Sequence, residues 1–231
     1  MANFVCHESC PKCGSRDNLA RYDDGSGWCF GCGFYQPATQ FSKPVAKSMK
    51  GLPDDLDTVI REDAVRWLEL AEVSVETALL HGVRWSNSSQ QLFFIWYDGD
   101  GNVILWQARN FYPNPKVKCF TQGNVKECLP IYHSGINNGT IVLVEDPVSA
   151  LKISRYSDCM PLLGSHIPLV NLNLLARLYS SLIIWLDHDK GSNALEIAEQ
   201  GRLLGLSTHV QITDDDPKHC DVKNILDKIK L

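Results

Sequence analysis

Two sets of residues in this 231-residue chain have the types and spacing to do chemistry. The first is Cys10-Pro11-Lys12-Cys13 and Cys29-Phe30-Gly31-Cys32, two CxxC pairs separated by fifteen residues. Each pair can turn two thiolates toward one point, and two such turns complete a tetrahedral four-thiolate site, the donor set and spacing of one structural zinc ion (Zn2+). Gly14, Gly31 and Gly33 suit the tight turns that carry the ligands. The neighbouring Cys6 and His7 are alternative ligands by residue type, but read more simply as a reduced thiol and a surface histidine. The second set is acidic. Glu145 ends the apolar run TIVLVED, Asp187 and Asp189 end SLIIWLDHD, and Asp214, Asp215 and Asp216 follow THVQIT. If these runs are parallel strands, three strand ends deliver carboxylates to one edge, and Asp187 and Asp189, two apart, point the same way. Hard oxygen ligands clustered this way suit Mg2+ or Mn2+, and two such ions can clamp the attacking and leaving oxygens of phosphoryl transfer. A single strand-end aspartate reads equally well as a helix cap. Three strands converging do not.

The elements that must position these residues follow from the apolar pattern. Residues 1–36 are rich in cysteine, glycine and turn formers and form the ribbon. Residues 37–53, PATQFSKPVAKSMKGLP, read as a flexible linker. The spacing of Leu56, Val59, Ile60, Ala64, Trp67, Leu68 and Ala71 predicts an amphipathic helix over 54–72, with a second helix capped by Ser74 and ending at Gly82. QLFFIWYD and NVILWQARN flank Gly99-Asp100-Gly101 and predict a hairpin, with CFT and PIYH as further short strands. This subdomain spans 54–138. From 139 to 231 the pattern changes to β-α-β-α-β-α-β-α, which predicts a parallel sheet flanked by helices, with Pro147 in the first turn of the first helix. The fold class is therefore α/β, preceded by a mixed α+β subdomain and the N-terminal ribbon.

Composition narrows the function classes. Apolar residues make up 44% of the chain, enough for a real core, and no apolar run approaches the ~20 residues of a membrane span. The N-terminus lacks a signal-peptide pattern, and nine cysteines, five of them scattered, fit a reducing compartment. A cytoplasmic protein without a membrane partner is expected. A net charge of −5 excludes a uniformly basic nucleic-acid binder. Basic residues nevertheless gather at 43–50 and at Arg109, Lys116, Lys118 and Lys126, so a local groove for a polyanion can coexist with an acidic cation site. Aromatic and basic residues around the cysteines, Arg16, Arg21, Tyr22, Trp28, Phe34 and Tyr35, could stack and clamp single-stranded bases. Packing alone would also place Trp28 and Phe34.

A glutamate after one parallel strand and DxD after another resembles the Toprim domain, shared by bacterial-type primases, type IA and II topoisomerases, OLD-family nucleases and RecR. The ribbon ahead of it makes the chain similar to the primase half of phage primase-helicases. The carriers are HESCPKCGS, DGSGWCFGC, ARNFYPNPKVKCF, VLVEDPVSAL, LLGS and IIWLDHDKG. The resemblance implies a DNA primase, a nucleotidyltransferase that makes short RNA primers on single-stranded DNA from ribonucleoside triphosphates during replication. It implies a ribbon that reads the template, a polymerase subdomain at 54–138 and a catalytic Toprim domain at 139–231. Glu145 would be the general base or metal-organising acid, Asp187 and Asp189 metal ligands, and Arg109, Lys116 and Lys118 the phosphate or RNA contacts. Asp216 is carried as a further Mg2+ ligand, although the member of 214–221 that completes the site stays open. Trp28 and Ser26 are carried as template contacts, Ser26 standing where relatives have a histidine. The first acid is followed by Asp146 and Pro147 rather than glycine. No GxxxxGK[ST] loop follows, so unwinding is expected from a separate helicase or replisome partner. A RecR-like non-catalytic DNA-binding protein and a Toprim nuclease are the rival readings.

Overall fold

A computed structural model of the chain describes residues 3–37, 51–126 and 128–229. The chain divides into two compact units, Met1–Met49 and Lys50–Leu231. Most of the expected linker at 37–53 lies outside the described residues.

The first unit is a four-stranded antiparallel sheet in the order β1 (Phe4–Glu8), β2 (Leu19–Tyr22), β3 (Gly27–Cys29), β4 (Tyr35–Gln36). Strands of two to five residues are too short for a period-two pattern to stand out in the sequence. Its core is Leu19, Cys10 and Cys29, with Cys32 and Phe34 against them. A core that small cannot order a domain without a staple.

The second unit holds two sheets. An antiparallel meander runs β5 (Leu56–Asp57), β6 (Arg84–Ser86), β7 (Gln91–Tyr97), β8 (Val103–Asn110), β9 (Cys119–Gly123), with α1 (Glu62–Leu70) and α2 (Val75–Leu80) between its first two strands. The helix expected over 54–72 is thus shorter. Asp55 accepts hydrogen bonds from the Ser86 hydroxyl and the Ser88 amide, both at 2.7 Å, which draws Leu56–Asp57 onto β6 as an edge strand. Ser74 caps α2, its hydroxyl accepting from the Thr77 amide at 3.1 Å. The β7–β8 hairpin closes where expected, with Asp98 accepting from the amides of Asp100 and Asn102 and Gly101 at φ +84°. Residues 130–133 do not form the strand expected of them. Tyr132 makes a single antiparallel bridge to Cys159.

The second sheet is parallel, built from β10 (Thr140–Val144), β11 (Asp158–Pro161), β12 (Ser181–Ile184) and β13 (Ser207–Val210) in the order β11-β10-β12-β13. The helices α3 (Pro147–Ile153), α4 (Leu169–Leu178) and α5 (Gly191–Leu203) make the crossovers, and α6 (Val222–Ile229) follows β13. Alternate residues of β10 and β12 serve opposite cores. Val142, Val144 and Ile183 pack with Val148, Leu151 and Ile153 of α3 and with the meander, in a core that includes Trp85, Leu92 and Phe94. Ile141, Leu143, Leu182 and Ile184 pack with α4 and α5. Each such large side chain contributes roughly 1.5–3 kcal/mol on burial. Helix α3 leaves β10 on one face and α4 returns on the other, so the strand order reverses between β10 and β12. Open α/β sheets bind ligands outside the strand ends at such a switch point. Among the described residues no helix is long and apolar enough to cross a membrane.

Candidate active site and metal centre

The two cysteine pairs of the ribbon adopt the same local geometry. The Gly14 amide donates to the Cys10 carbonyl and the Gly33 amide to the Cys29 carbonyl, each at 2.9 Å, with φ of +69° and +67° at the two glycines. A side chain at either glycine would be strained in that left-handed conformation. The sulfurs of Cys10 and Cys32, and of Cys13 and Cys29, are 3.8 Å apart, and all four lie within 4.8 Å of one another. That is too long for a disulfide. It matches the edge of a tetrahedron with metal–sulfur bonds of about 2.3 Å, which is about 3.8 Å. Hydrogen bonds with Ser15 pull the Cys13 thiol down to about 6, while, against a backbone hydrogen bond from Phe34, burial and the three neighbouring sulfurs push Cys32 up to about 12, as expected of four thiols crowded around one point. The residues therefore fit a structural zinc ion.

One surface of the ribbon is aromatic. Residues paired across the sheet share a face, which puts His7, Ala20, Trp28 and Tyr35 in one row and Phe4 and Tyr22 in the next. Trp28 and Tyr35 sit 6.3 Å apart, and Phe4 stacks edge-on against His7 at 4.9 Å. Trp28, Tyr35, Phe4 and Phe30 are all exposed. Two expected contacts lie elsewhere. Ser26 is buried, held by Asp24 in the turn before β3, and the Arg21 guanidinium is occupied by Glu8 and Gln36.

In the second unit, a cleft of about 330 Å³ opens at the switch point. It gathers Glu145, Asp187, Asp216, Arg109 and Lys118 from the residues singled out in the sequence, and adds Trp67, Gln107, Asp146 and Lys218. Glu145 directly follows β10, and Asp187 follows β12 by three residues. Asp146 caps α3, accepting from the amides of Val148 and Ser149 at 2.9 and 3.0 Å. The Lys218 ammonium donates to Asp216 at 2.7 Å and to Asp146 at 3.2 Å. Thr213 accepts from the Trp185 indole at 2.8 Å and donates to the Asp215 carbonyl at 2.7 Å, tying the 213–216 segment to the end of β12. The Arg109 guanidinium, which also lines the cleft, lies 4.2 Å over the Trp67 ring in a cation–π contact.

The electrostatics single out two carboxylates. Burial raises the pKa of Glu145, reinforced by Asp187. Burial likewise raises that of Asp187, reinforced by Asp216 and opposed by Lys218. Burial works against the charge on Lys218, yet Asp146 and Asp216 outweigh it and raise its pKa. One buried oxygen of each of Glu145 and Asp187, Oε2 and Oδ1, accepts no hydrogen bond. Paired carboxylates that repel each other and leave an oxygen without a donor fit a hard divalent cation.

Two sequence expectations need correction here. Strand β12 ends at Ile184, so Asp187 and Asp189 are not alternate residues of one strand. Asp187 precedes a 3₁₀ turn, His188–Lys190, that contains Asp189. The turn rotates Asp189 out to solvent, where it pairs with Lys190 and its pKa falls. Asp189 and Lys116 are not among the residues lining the cleft. Among the described residues, the four cysteines are the one group of three or more possible ligands gathered this closely. Asp146 was legible only as the residue that follows Glu145, Lys218 only as a neighbour of the acidic run 214–216, and Trp67 read as a core position of a helix.

The fold is that of solved primases. The zinc-binding and RNA polymerase domains of Aquifex aeolicus primase match 94% of this chain and 76% of that one, at a TM-score of 0.59 and 13% identity. The DnaG primase catalytic domain bound to ssDNA matches 69% of this chain and 67% of that one, at 0.56 and 15%. The primase fragment of the bacteriophage T7 primase-helicase aligns over 98% of both chains at 0.49 and 18%. No family description matches the sequence, and no curated protein does. The class defined is a mixed α/β, primase-like fold with a four-cysteine metal-binding ribbon.

Proposed function

We propose that the chain is a DNA primase that copies single-stranded DNA into short RNA from ribonucleoside triphosphates, with β10–β13 and their helices as its Toprim domain. The observation that carries this reading is the cleft. Two hydrogen-bond-poor carboxylates, Glu145 and Asp187, line one opening together with Arg109 and Lys118 at the switch point of a parallel sheet. In nucleotidyl transfer the 3′-hydroxyl of one nucleotide attacks the α-phosphate of the next, and pyrophosphate leaves. Arg109, preset on Trp67, and Lys118 neutralise the incoming triphosphate. Glu145, its pKa raised by burial, takes the proton of the attacking hydroxyl. Asp187, with Glu145 beside it and Asp216 as a further ligand, would hold Mg2+ or Mn2+, and such an ion would lower the cost of charge building on the phosphate. Asp189, out in solvent, is a weaker candidate ligand than Asp216. The zinc-ordered ribbon reads template bases on its aromatic face through Trp28 and Tyr35, joined by Phe4 and Phe30.

The test is priming on a library of single-stranded templates with Mg2+ or Mn2+, followed by sequencing of the products. Ribonucleotide oligomers starting at a shared template motif are expected. Template cleavage without added nucleotides would instead indicate a nuclease, and metal-independent DNA binding without incorporation a RecR-like protein.

A further inference from the structure

The proposed chemistry leaves one buried charge unused. Lys152, in the last turn of α3, is 1% exposed, although its neighbours Leu151 and Ile153 are apolar and fully buried. Its ammonium donates to the Lys218 carbonyl at 3.0 Å and lies 3.5 Å from the Glu72 carboxylate, which follows α1. A buried ammonium without such partners is strongly destabilised, so the pair of contacts fixes where each element sits. The residue it holds is informative. Lys218 belongs to a 3₁₀ turn, Pro217–His219, closed by the His219 amide on the Asp216 carbonyl at 2.8 Å. From that turn Lys218 reaches Asp146 and Asp216 in the cleft. Helix α3 therefore grips the turn twice. Asp146 at its N-cap takes the Lys218 ammonium, and Lys152 near its C-terminus takes the Lys218 carbonyl.

We infer that Lys152 is a positioning residue that fixes Asp216 and Lys218 against Asp187, and thereby sets the affinity of the cleft for a divalent cation. This rests on the reading of the cleft as a metal-dependent site. Lys152 touches neither the cleft nor substrate, and acts through the turn it holds.

The experiment compares the full chain with Lys152→Met and Glu72→Gln, using Mn2+ binding by electron paramagnetic resonance and hydrogen exchange of residues 214–221. For Lys152→Met, loss of a charge-assisted bond predicts a Mn2+ midpoint about tenfold higher and exchange at the His219 amide about tenfold faster. Amides of β10 and β12 keep their protection. Glu72→Gln keeps the carbonyl bond and shifts both readouts in the same direction by about two- to threefold. It carries the test if Lys152→Met does not fold. Unchanged Mn2+ midpoints in the folded variants overturn the inference, as does faster exchange spread evenly over the sheet. Failure of the primase reading is separable. Mn2+ binding that shifts as predicted in a chain that makes no RNA retires the polymerase activity and keeps the role of Lys152.

Discussion

Replacing Asp187 by Asn separates a residue kept for chemistry from one kept for the fold. Burial raises the pKa of Asp187, and Asp216 and Asp146 add to it with Lys218 as counter-charge. Its Oδ1 accepts no hydrogen bond that the substitution would remove. In metal-free buffer Asp187→Asn should therefore stabilise the chain. Relief of like-charge repulsion at a site partly open to solvent is worth about 0.5–1 kcal/mol, or about 1–4 °C for a unit of this size. In saturating Mn2+ the order should invert. Binding at a hundredfold excess over Kd adds about 2.7 kcal/mol to the wild type, or about 5–11 °C, and much less to the variant. Asp189→Asn, exposed and paired only with Lys190, should change neither value by more than about 0.5 kcal/mol. Thermal melts with EDTA and with Mn2+ read all of this. An Asp187→Asn chain that melts lower than wild type in EDTA and still gains the full Mn2+ shift would falsify the assignment.

Further outcomes follow from the same geometry. The gain from Asp187→Asn depends on pH. Below the ordinary 3.8 of an aspartate both states are protonated and the gain vanishes, and because the folded value is raised it grows as pH climbs through that value; melts across pH 3–7 check the sign. One zinc per chain should be released when the thiols are blocked. Cys29→Ser should abolish it and expose the amides of β2 and β3 to exchange, because the cysteines, with Leu19, make up most of the buried apolar cluster among the described residues of that unit. Trp67→Ala should raise the KM for nucleotide about three- to thirtyfold, the worth of a partly desolvated cation–π contact, while Trp67→Phe recovers part of it.

Much of this fold was legible because its signals are local. The runs TIVLV and SLII are apolar at every position, as a strand covered on both faces must be. The two cysteine knuckles repeat one pattern with a glycine after each, and the structure gives those glycines matching left-handed φ values. The hairpin announced itself through Gly99-Asp100-Gly101 between two apolar runs. What was illegible depends on tertiary position. Apolar Trp185 and Leu186 made the strand look as if it ran to Asp189, whereas it ends at Ile184, and the 3₁₀ turn then sends Asp189 outward. Residues 56–57 carry a helical spacing overruled by the pull of Asp55 on Ser86 and Ser88. The Asp146–Lys218 pair joins residues 72 positions apart, and neither residue type announces the other. Trp67 has the periodicity of a core residue, yet also supports Arg109 from the cleft wall.

The most direct test of the central claim is mass spectrometry of what the purified chain makes on single-stranded DNA with all four ribonucleoside triphosphates and Mn2+. The account predicts short oligoribonucleotides carrying a 5′-triphosphate, absent with EDTA and reduced at least about a hundredfold by Glu145→Gln or Asp187→Asn. Wild-type protein that binds Mn2+ and template yet yields no such product, or Glu145→Gln protein that yields as much as wild type, would contradict it.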